Sequence, residues 1–160
     1  MIISNTTPIS NFLNIGQINL LKRFFTTIHI PHAVYKEINM HFSNNLEWQK
    51  SLDEKFIFVH SLKPSAFLGQ LLVNLHPGES EALCLYLEKN ASLCLLDDRD
   101  ARILAQLHKI NITGTLGLLI QAKKKGYIQS VKTFMNELKQ YHFWINNAMY
   151  NKVLLLAHEN

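Results

Sequence analysis

Cysteine is scarce in this chain. There are two in 160 residues, Cys84 and Cys94, each inside an apolar run (Leu83-Cys84-Leu85 and Leu93-Cys94-Leu95) and neither with a CxxC companion. That argues against a disulfide scaffold and against a thiolate metal centre, and leaves two buried free thiols. Charge is also sparse, at 18% of residues against 48% hydrophobic ones, which argues against disorder and for extensive burial or a partner surface. No apolar run reaches the roughly eighteen residues of a membrane span. The first residues lack the basic segment of a signal peptide, so a cytoplasmic location and no membrane partner are expected. Also missing are GxGxxG, GxxxxGK[ST] and GxSxG, which removes the usual dinucleotide, P-loop and nucleophile-elbow readings. Of the eight histidines, only His29-x-x-His32 is closely spaced, and it straddles Pro31, so zinc is not indicated.

What is present fits one domain, residues 1–160, with a real core. Net charge is +4 and the pI about 9.1, a mild basic excess that suits a polyanion partner without demanding one. Three short apolar runs, Met1–Ser4, Ser92–Leu96 and Ile110–Thr113, end in polar groups: Asn5-Thr6, Asp97-Asp98-x-Asp100 and Thr113-Gly114-Thr115. Between them lie stretches with helical spacing. Residues 8–14 and 18–25, separated by Gly16, form two short helices or one broken one, with Thr7 as cap and Pro8 at the opening position. Residues 27–30 are extended, and a helix carrying Glu37 follows Pro31. The segment 41–55 is polar and poorly periodic, a surface excursion with at most a helical turn, and 56–60 is extended. Helices then cover 64–74, 79–89, 99–109, 115–125, 130–140 and 147–158, the last capped by Asn146. Strand and helix alternating at these lengths predict an α/β fold with right-handed crossovers and a mostly parallel central sheet of four or five strands flanked by helices in three layers.

If the runs are parallel strands, their polar ends share one edge, where the ligand crevice of an open α/β sheet lies. Glu37, Glu81, Asp97, Asp98 and Asp100 then fall beside strand ends or in first helical turns. Carboxylates crowded together raise one another's pKa unless a cation neutralises them. A hard ion such as Mg²⁺ or Mn²⁺ takes carboxylate and amide oxygens and leaves room for a phosphate. Each residue also has a plainer reading. An aspartate at 97, 98 or 100 suits a helix cap, Glu79 and Glu81 suit the positive end of a helix dipole, Glu37 suits an exposed helical face, and Asn5 suits an Asx turn. Lys123-Lys124-Lys125 suits a solvated helix end. Tyr141, Phe143, Trp144 and Tyr150 suit packing or a protein contact rather than base stacking.

The blocks Ile3-Ser4-Asn5-Thr6-Thr7-Pro8-Ile9, Ile30-Pro31-x-x-Val34-x-x-Glu37-Ile38, Leu75-His76-Pro77-Gly78-Glu79-Ser80-Glu81-Ala82-Leu83, Leu95-Leu96-Asp97-Asp98-Arg99-Asp100-Ala101-Arg102 and Thr113-Gly114-Thr115-Leu116-Gly117 together resemble PIN-domain proteins, similar to toxin ribonucleases of the virulence-associated protein C type. The resemblance spans nearly the whole chain. It implies a three-layer PIN-like fold and a Mg²⁺- or Mn²⁺-dependent endoribonuclease, the toxin of a toxin–antitoxin pair. RNA and a cognate antitoxin are the implied partners, and a homodimer is compatible. The acidic quartet of that family falls on Asn5, Glu37, Glu81 and Asp98, with Asp97, Asp100 and Glu79 able to substitute or assist. Thr6 and Thr115 match hydroxyl positions near metal and phosphate, and Arg99 and Arg102 lie where substrate would pass. Asn5 departs from the pattern, because an aspartate usually stands there. The neutral amide keeps open a weakened or inactive RNA-binding or regulatory protein. A phosphoryl-transfer domain built on Asp98-Arg99-Asp100 is a third reading, disfavoured by the absence of an acid at the end of the first strand.

Overall fold

In the computed structural model, which describes residues 1–159, Ile2–Ser4, Ile28–Pro31, Ile57–His60, Leu93–Leu95 and Ile112–Thr113 form strands β1 to β5. They make one sheet in the order β3-β2-β1-β4-β5, every pairing parallel. The strands are short and mostly apolar, as expected of a sheet with helices on both faces, although Phe58 and Val59 are exposed on the edge strand β3. Ten helices occur among the described residues: α1 Thr6–Asn14, α2 Ile18–Phe24, α3 His32–Phe42, α4 Leu46–Asp53, α5 Ala66–Leu71, α6 Pro77–Glu88, α7 Arg99–Leu107, α8 Thr115–Lys124, α9 Val131–Gln140 and α10 Asn147–Leu156. None is long and apolar enough to cross a membrane.

Two cores sandwich the sheet, which gives the three layers. On one side Ile28, Ile30, Ile57 and Leu95 pack with side chains of α1 to α4 and α8 to α10. On the other, Ile3, Cys94 and Leu96 pack with α5, α6 and α7. Ile3 and Cys94 are paired in register, so their side chains share a face, whereas Leu95 turns to the opposite one. Both cysteines are free and buried. Burial pushes the Cys84 thiol up to about 11 and the Cys94 thiol up to about 12, so neither forms a thiolate at neutral pH.

Several boundaries differ from the sequence reading. The first helix begins at Thr6 with Asn5, not Thr7, in the capping position, and Pro8 sits at its third residue, where a missing N–H is still harmless. The polar excursion contains an eight-residue helix, α4, capped by Asn45 Oδ1 accepting from Trp48 N at 3.0 Å. Trp48 and Ser51 are fully buried, Leu52 packs against the core, and Trp48 donates from Nε1 to Asn39 Oδ1 at 3.3 Å. With a serine in that inner stripe, only Trp48 and Leu52 are apolar, too few to read as a helical period. The helix expected over 64–74 shrinks to Ala66–Leu71, started by Ser65, while α6 begins two residues earlier than expected, with Pro77 at its first position.

The C-terminal helices are fastened by one carboxylate. Glu159 accepts from Lys123 Nζ at 2.7 Å, Ser130 Oγ at 2.9 Å, Val131 N at 2.6 Å and Lys132 N at 3.0 Å. It thereby joins the end of the chain to the last turn of α8 and the first turn of α9. Burial alone would raise its pKa, but the Lys123 ammonium and these donors hold it down to about 2. A carboxyl held below its unfolded value of 4.5 stabilises the fold above that value and gives the contribution up as pH falls toward 2. Glu159→Gln is therefore expected to lower the melting temperature by a few degrees at pH 7. The gap to the wild type should close between about pH 4.5 and 2, which melting curves across that range would measure.

Candidate functional site

Because every strand runs the same way, α1, α3, α7 and α8, which begin within four residues of a strand's end, start at the carboxyl edge of the sheet. So does α6, which leads back into β4. Five helix N-termini thus lie along one edge, each with unpaired N–H groups and a partial positive charge. The chain turns left and right of β1 at this edge, since β2 lies on one side of it and β4 on the other. That is the switch point at which open α/β sheets bind ligands.

The acidic residues are applied to these helix ends. Glu81, on α6, accepts from Ala33 N in the first turn of α3 at 3.0 Å. Glu37, on α3, accepts in return from Gly78 N in the first turn of α6 at 3.1 Å through Oε1, and from the Thr6 hydroxyl through Oε2. Glu79 closes on its own helix start, accepting from His76 N at 3.1 Å. Burial first, and then the nearby Asp98 charge, raise the Glu79 carboxyl despite that bond. Asp98 caps α7, its Oδ1 accepting from Ala101 N at 2.8 Å. Asp97 serves α8, accepting from Thr115 N at 2.8 Å and from Thr115 Oγ1 at 2.6 Å.

Asp97 and Thr115 belong to a buried network. Asn11 Nδ2 donates to Thr115 Oγ1 at 3.0 Å and to Asp97 Oδ2 at 3.4 Å, and Arg102 Nη1 donates to Leu96 O at 2.8 Å beside them. Burial pushes the Asp97 carboxyl above the usual carboxylate range, against the Thr115 bonds and the nearby Arg102 charge. Thr115 is wholly buried with its hydroxyl engaged both as donor and as acceptor. Its hydroxyl is thus committed to Asp97 and Asn11. Asp100 and Arg99 are exposed on the first turn of α7.

Asn5 is the exception on this edge. It is only 2% exposed and occupies the capping position of α1, for which asparagine is well suited, yet its side chain makes no cap bond. Its backbone N–H donates to Leu95 O at 3.0 Å, which fixes it against β4. Its Oδ1 is a buried acceptor with no hydrogen-bond partner. Such an orphan costs about 1–3 kcal/mol, so its presence at the switch point asks for a ligand.

The residues expected from the sequence therefore come together in two groups. One joins Thr6, Glu37 and Glu81 to the starts of α3 and α6. The other joins Asp97, Thr115 and Arg102 to the start of α8. Glu79 and Asp98 stand near enough to feel each other's charge. Among the described residues no three of His, Cys, Asp or Glu converge closely enough to hold a metal ion by themselves. Three members escaped the sequence reading. Asn11 carries a signal, an amide on the buried stripe with Pro8 and Phe12. Gly78 and Ser80, the latter buried with an unpartnered hydroxyl, carry none beyond lying next to Glu79.

Beyond the carboxylates an open cleft of about 1000 Å³ extends from Asp97, Asp98 and Arg102 past Ile103 and Gly117 to Trp144. A family model described as a PIN domain matches residues 1–159 of the chain. Among curated proteins and among solved structures, none matches it.

Gly114 tests the second group. A Cβ there would overlap Asp97 Oδ1 and lie 3.1 Å from Leu96 O, so Gly114→Ala must displace a half-buried, hydrogen-bonded carboxylate or backbone. We expect a loss of about 1–3 kcal/mol in chemical denaturation. Gly69→Ala, on α5 with nothing within 4 Å of the added carbon, is expected to be neutral or to gain about 0.5–1 kcal/mol.

Proposed function

The chain belongs to the PIN-domain family, and from that premise we propose that it is a Mg²⁺- or Mn²⁺-dependent endoribonuclease, the toxin of a type II toxin–antitoxin pair. Membership implies nuclease-type activity in general, and PIN domains typically use divalent metal ions. The edge residues fit such an ion, and the observation that carries the reading is the orphaned Asn5 Oδ1. Glu81 and Asp98 each commit one oxygen to a helix start, and the other oxygen of each has no hydrogen-bond donor among the described residues. An amide oxygen with one or two carboxylates is a donor set that suits Mg²⁺, which keeps several waters and shares its shell with substrate phosphate. It also accords with the absence of a three-carboxylate cage.

In this reading Asn5, Glu81 and Asp98 hold the ion, and Glu79, beside Asp98, assists. A divalent ion held there would neutralise charge on the phosphate oxygens and lower the pKa of a water, so that hydroxide could attack phosphorus as the P–O3′ bond breaks, giving a 3′-hydroxyl and a 5′-phosphate. The protein's own contribution is orientation. Helix N-termini draw the phosphodiester to the edge, and Arg102, held by one nitrogen to Leu96 O, keeps the remainder of its guanidinium for phosphate oxygens. Arg99, exposed one residue after Asp98, meets the chain as it enters. A cognate antitoxin and a second copy of the chain are the protein partners that accompany this function.

A second reading rests on the same residue. A neutral Asn5 gives one oxygen without charge where an aspartate would give both, so ion affinity falls, and a PIN-fold RNA-binding or regulatory protein without catalysis would tolerate that. One experiment separates the two. Purified protein is incubated with RNA and Mn²⁺ or Mg²⁺, alongside Asp98→Asn and a chelated control. The nuclease reading expects cleavage that falls about tenfold to a hundredfold in Asp98→Asn and stops with chelator, and it expects Asn5→Asp to cleave faster. Cleavage unchanged in both controls overturns it, and binding of RNA without cleavage under any condition selects the second reading.

A further inference from the structure

We propose that Glu37 is a positioning residue of this site and not one of its metal ligands. Three observations bear on it. Both of its carboxylate oxygens are engaged, Oε1 by the Gly78 N–H at 3.1 Å and Oε2 by the Thr6 hydroxyl. The group also lies against the bare Cα of Gly78: a Cβ there would sit 2.6 Å and 2.7 Å from the two oxygens and 2.9 Å from the carboxyl carbon. Finally, the contact is reciprocated, since Glu81 on α6 holds the first turn of α3 through Ala33 N at 3.0 Å. Glu81 and Asp98 have no such enclosure.

Side chains on a helix lean toward its N-terminus, so a glutamate in the second turn of each helix reaches the first turn of its neighbour. Two parallel helices lying start to start repel through their like dipole ends, and a carboxylate on each relieves both. Glu37 thereby fixes where α6 begins, and so where Glu79 and Glu81 stand. Thr6 ties the same latch to the residue after Asn5. Glu37 acts on the ion through these residues.

The metal arm of the test rests on the nuclease reading, and the amide arm does not. Mn²⁺ binding is measured by electron paramagnetic resonance on metal-free protein, and exchange of the Gly78 and Ala33 amides by NMR. Glutamine at 37 can accept from Gly78 N through its carbonyl and donate to Thr6 Oγ1 through its amide. Glu37→Gln is therefore expected to bind Mn²⁺ within about threefold of wild type, whereas Glu37→Ala loses about tenfold or more, the usual cost of removing a supporting contact. The Gly78 amide should exchange at least about tenfold faster in Glu37→Ala and near the wild-type rate in Glu37→Gln. If Glu37→Gln weakens Mn²⁺ binding as far as Asp98→Asn does, Glu37 is a ligand and the proposal is overturned. Should the wild type bind no Mn²⁺, the nuclease reading fails alone. The latch then stands if Glu37→Ala releases the Gly78 amide, and falls if that amide exchanges equally in both proteins.

Discussion

A parallel sheet obliges its crossover helices to begin at the carboxyl edge of the strands, and in this chain five of them do so side by side. Each brings N–H groups without intrahelical partners and half a positive charge. Left bare, such an edge would be an array of unpaired donors with mutually repelling dipoles. The chain answers with a carboxylate at four of the five starts: Glu37 at α6, Glu81 at α3, Asp98 at α7 and Asp97 at α8. The crowding of acids that marks the sequence is thus required by the fold before any ion is considered. Glu37 and Glu81 go further, because each caps the helix that carries the other, and so set the spacing of α3 and α6.

The fifth start is that of α1, and it is treated differently. Asn5 stands where a capping side chain belongs, but its oxygen makes no bond to the helix and is buried without a partner. Electrostatics explains why an uncharged residue is tolerable there. The neighbouring acids already place several negative charges on one edge, and Glu79 feels the result as a carboxyl raised by burial and by Asp98. Another carboxylate at position 5 would deepen that repulsion in the absence of a cation. An amide oxygen keeps an acceptor at that position while sparing the fold that charge.

Much of this was legible in the sequence, for reasons that also explain the remainder. The order of strands and helices followed from apolar runs ending in polar residues, and Asn146 was readable as a cap because it precedes a clear helical pattern. Its Oδ1 accepts from Met149 N at 2.7 Å. The helix α4 was not legible, since its inner stripe of Trp48, Ser51 and Leu52 has only two apolar members. The acids were found, but their partners were not. A spacing of 41 residues separates Glu37 from Gly78 and 48 separates Ala33 from Glu81, and no local pattern announces a backbone amide as the recipient. Thr115 was placed near metal and phosphate by the family resemblance, not by any local pattern. Burial beside Asn11, an amide concealed in an apolar helix, commits its hydroxyl to Asp97.

Capping and coordination do not compete for the same atoms. A carboxylate has two oxygens, and Asp98 and Glu81 each give one to a backbone N–H. That bond fixes the plane of the group, so the second oxygen is aimed without spending side-chain freedom when a ligand arrives. The same N–H withdraws charge from the carboxylate, which lowers its affinity for a cation but also lets several such groups stand together on one edge. The arrangement suits an ion bound weakly by the protein and completed by a phosphate, as Mg²⁺ sites on nucleic-acid enzymes are. Glu37, with both oxygens committed and Gly78 against its face, has nothing left to aim. Asp97 is committed in the same way, to Thr115 N, Thr115 Oγ1 and Asn11 Nδ2, so the acids that serve helix starts divide into Glu81 and Asp98, each with one oxygen unengaged among the described residues, and Glu37 and Asp97, with none.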